Sequence, residues 1–201
     1  MSENALIVFT RNPELGKCKT RLAKTVGDQT ALDIYKFLLQ HTADISKAVD
    51  TNRFVFYSEN IIDNDIWDTK FFNKKLQKGE DLGERMQHAF TELLNANYNK
   101  VVIIGSDLYD LNAQTIEEAY KQLESHDVVI GPAEDGGYYL LGMNVLHPEA
   151  FKNKAWGTSS VLEKTLTDLN TTSVKFLDKK NDIDTWEDIK DIPFFVKNFL
   201  T

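Results

Sequence analysis

The sequence predicts an α/β protein built on a mostly parallel sheet with helices on both faces. Short β-branched apolar runs carry the first part of this reading. Ala5–Thr10 (ALIVFT) and Val101–Ile104 (VVII) read as strands buried on both sides, as strands of parallel sheets are. Amphipathic helical patterns alternate with such runs, and a βαβα order favours a parallel sheet. The run at Val101 then passes straight into Gly105-Ser106-Asp107. In open α/β sheets ligands bind just beyond the carboxyl ends of strands. An acid placed there is suited to hold a cation, and through it a nucleotide diphosphate, although Asp also caps turns.

The elements follow in order. After the strand Ala5–Thr10, Asp28 caps a helix running to about Ala48, with Ala31, Ile34, Tyr35, Leu38, Thr42 and Ile45 on one face. Arg53–Tyr57 is a second strand. Leu82–Asn95 is a helix whose stripe is Leu82, Met86, Ala89, Phe90, Leu93 and Leu94. The strand Val101–Ile104, a helix at Gln114–Leu123 and a strand at Asp127–Gly131 follow. Beyond Gly131 the pattern changes to a strand at Tyr138–Met143, a helix at Ser160–Leu169, a strand at Val174–Leu177 and a short helix opening at Asp184–Ile189. No repeat or linker interrupts the chain, so residues 1–201 read as one domain whose second half adds a lobe beside the site.

Composition narrows the function classes. A chain of 201 residues, 42% hydrophobic and 27% charged, supports a globular core. A formal net charge of −8 argues against a nucleic-acid polymer or an anionic membrane as main partner, but not against a small nucleotide. Cys18 is the only cysteine, which excludes an intrachain disulfide and a cysteine-based zinc cluster. The start, MSENALIVFT, lacks signal-peptide features, and no run approaches the roughly 20 apolar residues of a membrane helix. The expectation is a soluble cytoplasmic protein. The sequence leaves its oligomeric state open.

Four segments carry candidate chemistry. Arg11–Arg21 (RNPELGKCKTR) sets Arg11, Lys17, Lys19 and Arg21 around a turn shaped by Pro13 and Gly16. Dense cations and exposed N–H groups suit phosphates, yet the spacing is neither a Walker A loop nor GxGxxG, and a solvated basic turn is the plain alternative. In Gln77–Met86 (QKGEDLGERM), Asp81 and Arg85 flank a glycine-containing helix start; they either approach a nucleotide or serve the helix and its surface. In Gly131–Tyr139 (GPAEDGGYY), Asp135 precedes two glycines and suits an acceptor hydroxyl or a base role, unless the segment is an ordinary tight turn. In Asn181–Asp188 (NDIDTWED), Asp182 and Asp184 alternate along an extended stretch, and only one of them is expected to face a site; Asp184 alternatively caps a helix. His41, His88, His126 and His147 show no zinc-type spacing.

Taken together, FTRNPELGKCKTRLA, QKGEDLGERM, VVIIGSDLYDL, GPAEDGGYYLLG, WGTSSVLEKTL and NDIDTWEDI resemble, in order, a bacterial family of small glycosyltransferase-like proteins of GT-A fold, sometimes labelled selenodomain-associated transferases. The resemblance covers about nine-tenths of the chain. It implies a GT-A-like three-layer α/β/α sandwich with a mostly parallel central sheet, shared with nucleotide-diphospho-sugar transferases and with molybdopterin-guanylyl-type nucleotidyltransferases. Asp107 resembles the last acid of the metal-binding DxD element, whose first position is here Gly105. Asp184 resembles the second metal-side acid, and Arg11, Lys19 and Arg21 the phosphate-contacting loop. The family usually reads GSDxP; here Tyr109 stands at the proline position.

The resulting expectation is a transferase that moves a sugar from a nucleotide-diphospho-sugar to an unidentified small-molecule acceptor. Mg²⁺ or Mn²⁺ on Asp107 and Asp184 would assist, with Lys19 and Arg21 on the diphosphate and Asp135 at the acceptor. Tyr138, Tyr139 and Trp156 are candidates for an aromatic wall, or for plain core packing. Rival expectations are a nucleotidyltransferase that releases pyrophosphate from an NTP, and a nucleotide-binding module without catalysis.

Overall fold

Strand-forming runs and amphipathic helices assemble as their patterns require. The structure, a computed structural model, describes residues 3–200. Its strands are β1 (Asn4–Thr10), β2 (Asn52–Tyr57), β3 (Asn73–Leu76), β4 (Lys100–Ile104), β5 (Val128–Pro132), β6 (Tyr138–Met143) and β7 (Val174–Phe176). Its helices are α1 (Thr20–Val26), α2 (Asp28–Ala48), α3 (Leu82–Asn95), α4 (Ala113–Gln122), α5 (Val161–Asp168) and α6 (Pro193–Phe199). The strands form one seven-stranded sheet in the order β3-β2-β1-β4-β6-β5-β7.

Within the described sheet, β6 is antiparallel to its neighbours β4 and β5, and every other pairing is parallel. The cause is local. The β5–β6 connection closes on itself, with Ala133 N–H donating to Gly137 O at 3.1 Å, and is too short for the crossover that parallel strands need. Alternate residues of the central strands serve opposite layers. Leu6, Val8, Val102 and Ile104 pack with Leu39 and Ala43 of α2 and Ile116 and Ala119 of α4. Ala5, Ile7, Val101 and Ile103 pack with Met86, Phe90 and Leu93 of α3 and with Phe151. The mostly parallel α/β/α arrangement expected from the sequence is therefore present.

The second half departs from expectation. β5, β6 and β7 extend the same sheet and make no lobe of their own. Residues 184–189 form turns in place of a short helix. The Asp188 carboxylate accepts from the N–H groups of Asp184 (3.0 Å) and Thr185 (2.6 Å), and the helix begins only at α6, with Pro193 in its first turn. Four elements were not anticipated: α1, β3, the 3₁₀ turn Pro148–Phe151 and α6. β3 (NKKL) is a polar edge strand, short and lysine-rich, as edges that resist further pairing are. None of the described helices is long and apolar enough to cross a membrane.

A third apolar cluster anchors the late acidic segment. Ile183, 2% exposed, inserts among Leu22 of α1, Ile34 and Leu38 of α2, and Phe195 of α6. Its N–H donates to the backbone oxygen of Asp107 at 3.1 Å, so the segment is tied to the end of β4 by both its side chain and its backbone. Truncating Ile183 to Ala should lower the unfolding free energy by about 2–5 kcal/mol, as cavity formation at a buried Ile does. Urea denaturation checks this, and a cost under about 0.5 kcal/mol would show that the segment is not anchored there.

Candidate active site

The site is built where β1 and β4, adjacent in the centre of the sheet, release their chains. Beyond β1, Arg11 is held by Tyr35 of α2, whose hydroxyl donates to Arg11 O and accepts from Arg11 N–H, both at 3.0 Å. The same hydroxyl lies 3.4 Å from Ser106 Oγ, so one buried tyrosine links the two strand ends. Burial pushes the Tyr35 phenol pKa up and keeps it protonated. The loop then turns at Glu14–Lys17, where Gly16 adopts φ +73°. Lys19 follows in the left-handed region at φ 50°, immediately before α1. For a non-glycine residue that conformation costs on the order of 1 kcal/mol, and it persists only where surroundings enforce it.

The enforcing contact is electrostatic. Lys19 Nζ donates to Asp107 Oδ2 at 2.8 Å and to Asp184 Oδ1 at 2.7 Å, and its side chain is only 5% exposed. Burial opposes the ammonium charge, but the Asp107 and Asp184 carboxylates more than offset it and raise the Lys19 pKa. Arg21, far more exposed, also donates to Asp184. Lys19 thus occupies the position that the sequence assigned to a cation and is not directed outward toward a phosphate. Arg11, Lys19 and Arg21 line one pocket with Asp107 and Asp184. Lys17 is spent on an exposed ion pair with Glu14 at 2.6 Å, and Gly16 shapes the turn without lining that pocket.

Asp182 is the residue that sequence reasoning passed over. Carboxylate oxygens of Asp107, Asp182 and Asp184 all lie within 4.8 Å of one another. The expectation that only one of the late acids faces the site fails for a simple reason. Residues two apart on extended chain share a face, and Ile183 between them turns into the core. That periodicity was the signal available in the sequence. Burial, reinforced by Asp107, Asp184 and Asp135, pushes the Asp182 carboxyl from 3.8 up to about 6. Three clustered carboxylates are a donor set suited to Mg²⁺ or Mn²⁺, which take hard oxygen ligands, and the buried ammonium beside them marks a position that demands positive charge.

On the other side of Asp107 lies a second pocket, lined by Leu82 and Met86 of α3, Asp135, Asp182, Tyr138 and Trp156 among others. Trp156 lies over the first turn of α3 because Gly83 has no side chain; a Cβ there would sit 2.6 Å from the indole ring. Tyr139 also lines the pocket, but it is buried and its hydroxyl donates to Asp178 O at 2.9 Å. Asp135 makes the contact of a tight turn and also lines the pocket; its Oδ1 accepts from Gly137 N–H at 2.8 Å. Gly136, at φ +88°, packs against the backbone of Ser159, so the close approach it permits is to the chain itself. Asp81 and Arg85 serve the helix start. The Asp81 carboxylate accepts from Glu84 N–H at 2.9 Å, and Arg85 Nε donates to Gly79 O at 3.0 Å. Neither lines a pocket containing Asp107.

Sheet order, helical layers and the strand-end cleft define the fold class of nucleotide-diphospho-sugar and nucleotidyl transferases. Comparison with solved structures bears this out. A "putative nucleotide-diphospho-sugar transferase" from Desulfovibrio desulfuricans G20 is 32% identical, with a TM-score of 0.89 over 98% of this chain and 89% of that one. A cytidylyltransferase from Leptospira borgpetersenii is 14% identical, with a TM-score of 0.63 over 100% of this chain and 89% of that one. A 4-diphosphocytidyl-2C-methyl-D-erythritol synthase from Anaerococcus prevotii is 11% identical, with a TM-score of 0.63 over 98% and 97% of the two chains. The last two speak for the fold alone. No curated protein matches. Residues 41–158 match the family described as "Uncharacterized protein conserved in bacteria (DUF2064)", and the chain belongs to that family.

The raised Asp182 pKa fixes a stability trend. A carboxyl whose folded pKa is raised stabilises the fold below its unfolded pKa, and that share is lost as pH rises from about 4 through about 6. In EDTA, Asp182→Asn should therefore have a higher Tm than the parent protein at pH 7.5 and no advantage at pH 4. Thermal unfolding at the two pH values measures this; an equal gain at both would show that charge is not the cause.

Proposed function

We propose that the protein is a nucleotide-sugar-dependent glycosyltransferase working in this cleft. The observation that carries the reading is the convergence of the basic loop after β1 with the Asp107, Asp182 and Asp184 carboxylates at the end of β4. The 32% identical relative described as a nucleotide-diphospho-sugar transferase supports a sugar donor over a bare nucleotide. Arg11, Lys19 and Arg21 bind the donor diphosphate, and Lys19 exchanges its carboxylate partners for phosphate oxygens when the donor arrives. Asp107 and Asp184, joined by Asp182, are the residues that hold a divalent cation. Such an ion, when bound, supplies charge neutralisation for the departing diphosphate.

The chain's own groups account for the rest. An acceptor hydroxyl oxygen bonds to the anomeric carbon, the bond from that carbon to the phosphate oxygen breaks, and the nucleoside diphosphate leaves with the electron pair. Asp135, at the rim of the aromatic pocket, receives the hydroxyl proton. Lys19 and Arg21, once on the diphosphate, stabilise the charge accumulating on the leaving group. A nucleotidyl transfer in the same cleft would release pyrophosphate, so the leaving product separates the two chemistries.

The decisive experiment is a thermal-shift panel of nucleoside triphosphates and nucleotide sugars with Mg²⁺ or Mn²⁺. A donor at 100 times its Kd should stabilise the protein by about 2.7 kcal/mol. Absence of a shift with every nucleotide sugar would overturn the reading. With a binding donor in hand, Lys19→Ala or Arg21→Ala should weaken nucleoside diphosphates about tenfold or more. Nucleosides should be nearly unaffected, because bonds to charged groups contribute about 1.5–3 kcal/mol each. Equal losses for both would assign the loop a purely structural part. Asp107→Asn should abolish the dependence of donor affinity on Mn²⁺, measured by titration calorimetry with and without the ion, and an unchanged dependence would remove Asp107 from the cation site. Asp135→Ala should lower turnover while leaving donor Kd within about twofold, a split that a misfolded turn would not give.

A further inference from the structure

The two pockets flanking Asp107 have opposite charge. The loop side holds Arg11, Lys19 and Arg21, whereas the lining of the aromatic pocket contains no Lys, Arg or His. Its charged groups are Asp107, Asp135 and Asp182, and its walls include Leu82, Met86, Tyr138 and Trp156. Lys19, buried on Asp107 and Asp184, and Arg21, paired with Asp184, line the loop-side pocket and not this one. In the groove at the outer rim, Arg21 stands among Glu134, Asp135, Asp182, Asp184 and Asp188. A phosphate or carboxylate entering the aromatic pocket beyond the cation site would lose part of its hydration and meet Asp135 with no basic group in the pocket lining to offset it. Carboxylates accept hydrogen bonds only, so the ligand they favour brings hydroxyl or ammonium donors. Aromatic walls favour the apolar face of a ring, and a cationic amine as well.

We infer that this pocket selects its occupant by charge. It takes a hydroxyl-rich ring that is neutral or carries an amine, of the hexose or hexosamine class, and it excludes uronates and rings phosphorylated away from the anomeric carbon, with Asp135 as the discriminating residue. The inference rests on the glycosyltransferase reading for the sugar class, but the charge selection follows from the lining itself. The ring is either the donor's sugar or the acceptor.

The test is saturation-transfer NMR on the full chain in EDTA, with methyl glucoside, glucosamine, glucuronate and glucose 6-phosphate as probes. Methyl glucoside and glucosamine should bind at least tenfold more tightly than the two anions. Asp135→Asn should narrow that ratio at least threefold by admitting the anions. Trp156→Ala should weaken methyl glucoside and glucosamine, with unchanged thermal unfolding confirming that the variants are folded. Anions binding as well as methyl glucoside, a ratio unmoved by Asp135→Asn, or no binding of any probe would overturn the inference. Binding of nucleotide sugars with no charge discrimination would sink charge selection and leave the donor reading standing. Discrimination among free sugars without any nucleotide binding would do the reverse. Displacement of methyl glucoside by the nucleotide sugar found in the panel identifies the ring as the donor's, and simultaneous binding identifies it as the acceptor.

Discussion

The ammonium of Lys19 is the point on which the cleft depends. It joins Asp107 and Asp184, groups 88 and 165 residues away in the chain, and so ties the N-terminal loop, the end of a central strand and the late acidic segment to one position. A buried ion pair is weak evidence for stability, because desolvation of the partners absorbs most of their attraction. Lys19 also accepts a left-handed backbone to reach its partners. A residue that combines desolvation with backbone strain fits a site whose charge has to be balanced before a ligand arrives. Removing the ammonium alone would leave Asp107, Asp182 and Asp184 within 4.8 Å of each other, with the exposed Arg21 still paired to Asp184.

From that balance follows the division of the cleft. The pocket on the side of Asp107 that faces the loop after β1 holds Arg11, Lys19 and Arg21, and the lining of the pocket on the other side is apolar and acidic. Fold geometry makes the division possible. The sheet brings β1 and β4 side by side, so a basic loop and an acidic strand end emerge as neighbours. The antiparallel β6 then returns the chain so that the Asp135–Gly137 turn closes the opposite wall. Gly83 completes that wall by making room for Trp156 over the start of α3. The proposed ligands, a diphosphate on one side and an uncharged or amino-bearing ring on the other, are drawn from this distribution of charge.

Much of this was legible in the sequence because it is encoded locally. The runs at Ala5 and Val101 read as buried strands because they are short, rich in β-branched and aliphatic residues and, at Val101, end directly at a glycine. The stripe from Ala31 to Ile45 had to be an amphipathic helix, and α2 follows it over the full expected length. Asp107 stood out because an acid directly after a buried strand does not serve the core. The elements that escaped, α1, β3 and α6, are short. They have weak patterns of their own and depend on neighbours: β3 on the edge offered by β2, and α6 on the apolar cluster around Leu38 and Ile183.

The sequence by itself determined the strand and helix alternation, the α/β class, the family and the residue types gathered at the strand ends. All but the family, which rests on the resemblance of whole motifs in order, are properties of nearest neighbours and of periodicity, and they survive without knowledge of any long-range contact. Only the tertiary structure decided that Lys19 lies between carboxylates, that Asp182 joins Asp107 and Asp184, that Asp81 and Arg85 serve the start of α3, and that positive charge is absent from the lining of the aromatic pocket. Each of these depends on which distant segments meet. A side chain's partner is chosen by the packing of Ile183, Tyr35 and Gly83 and by the balance of desolvation against charge, and no pattern within ten residues of Lys19 contains that information.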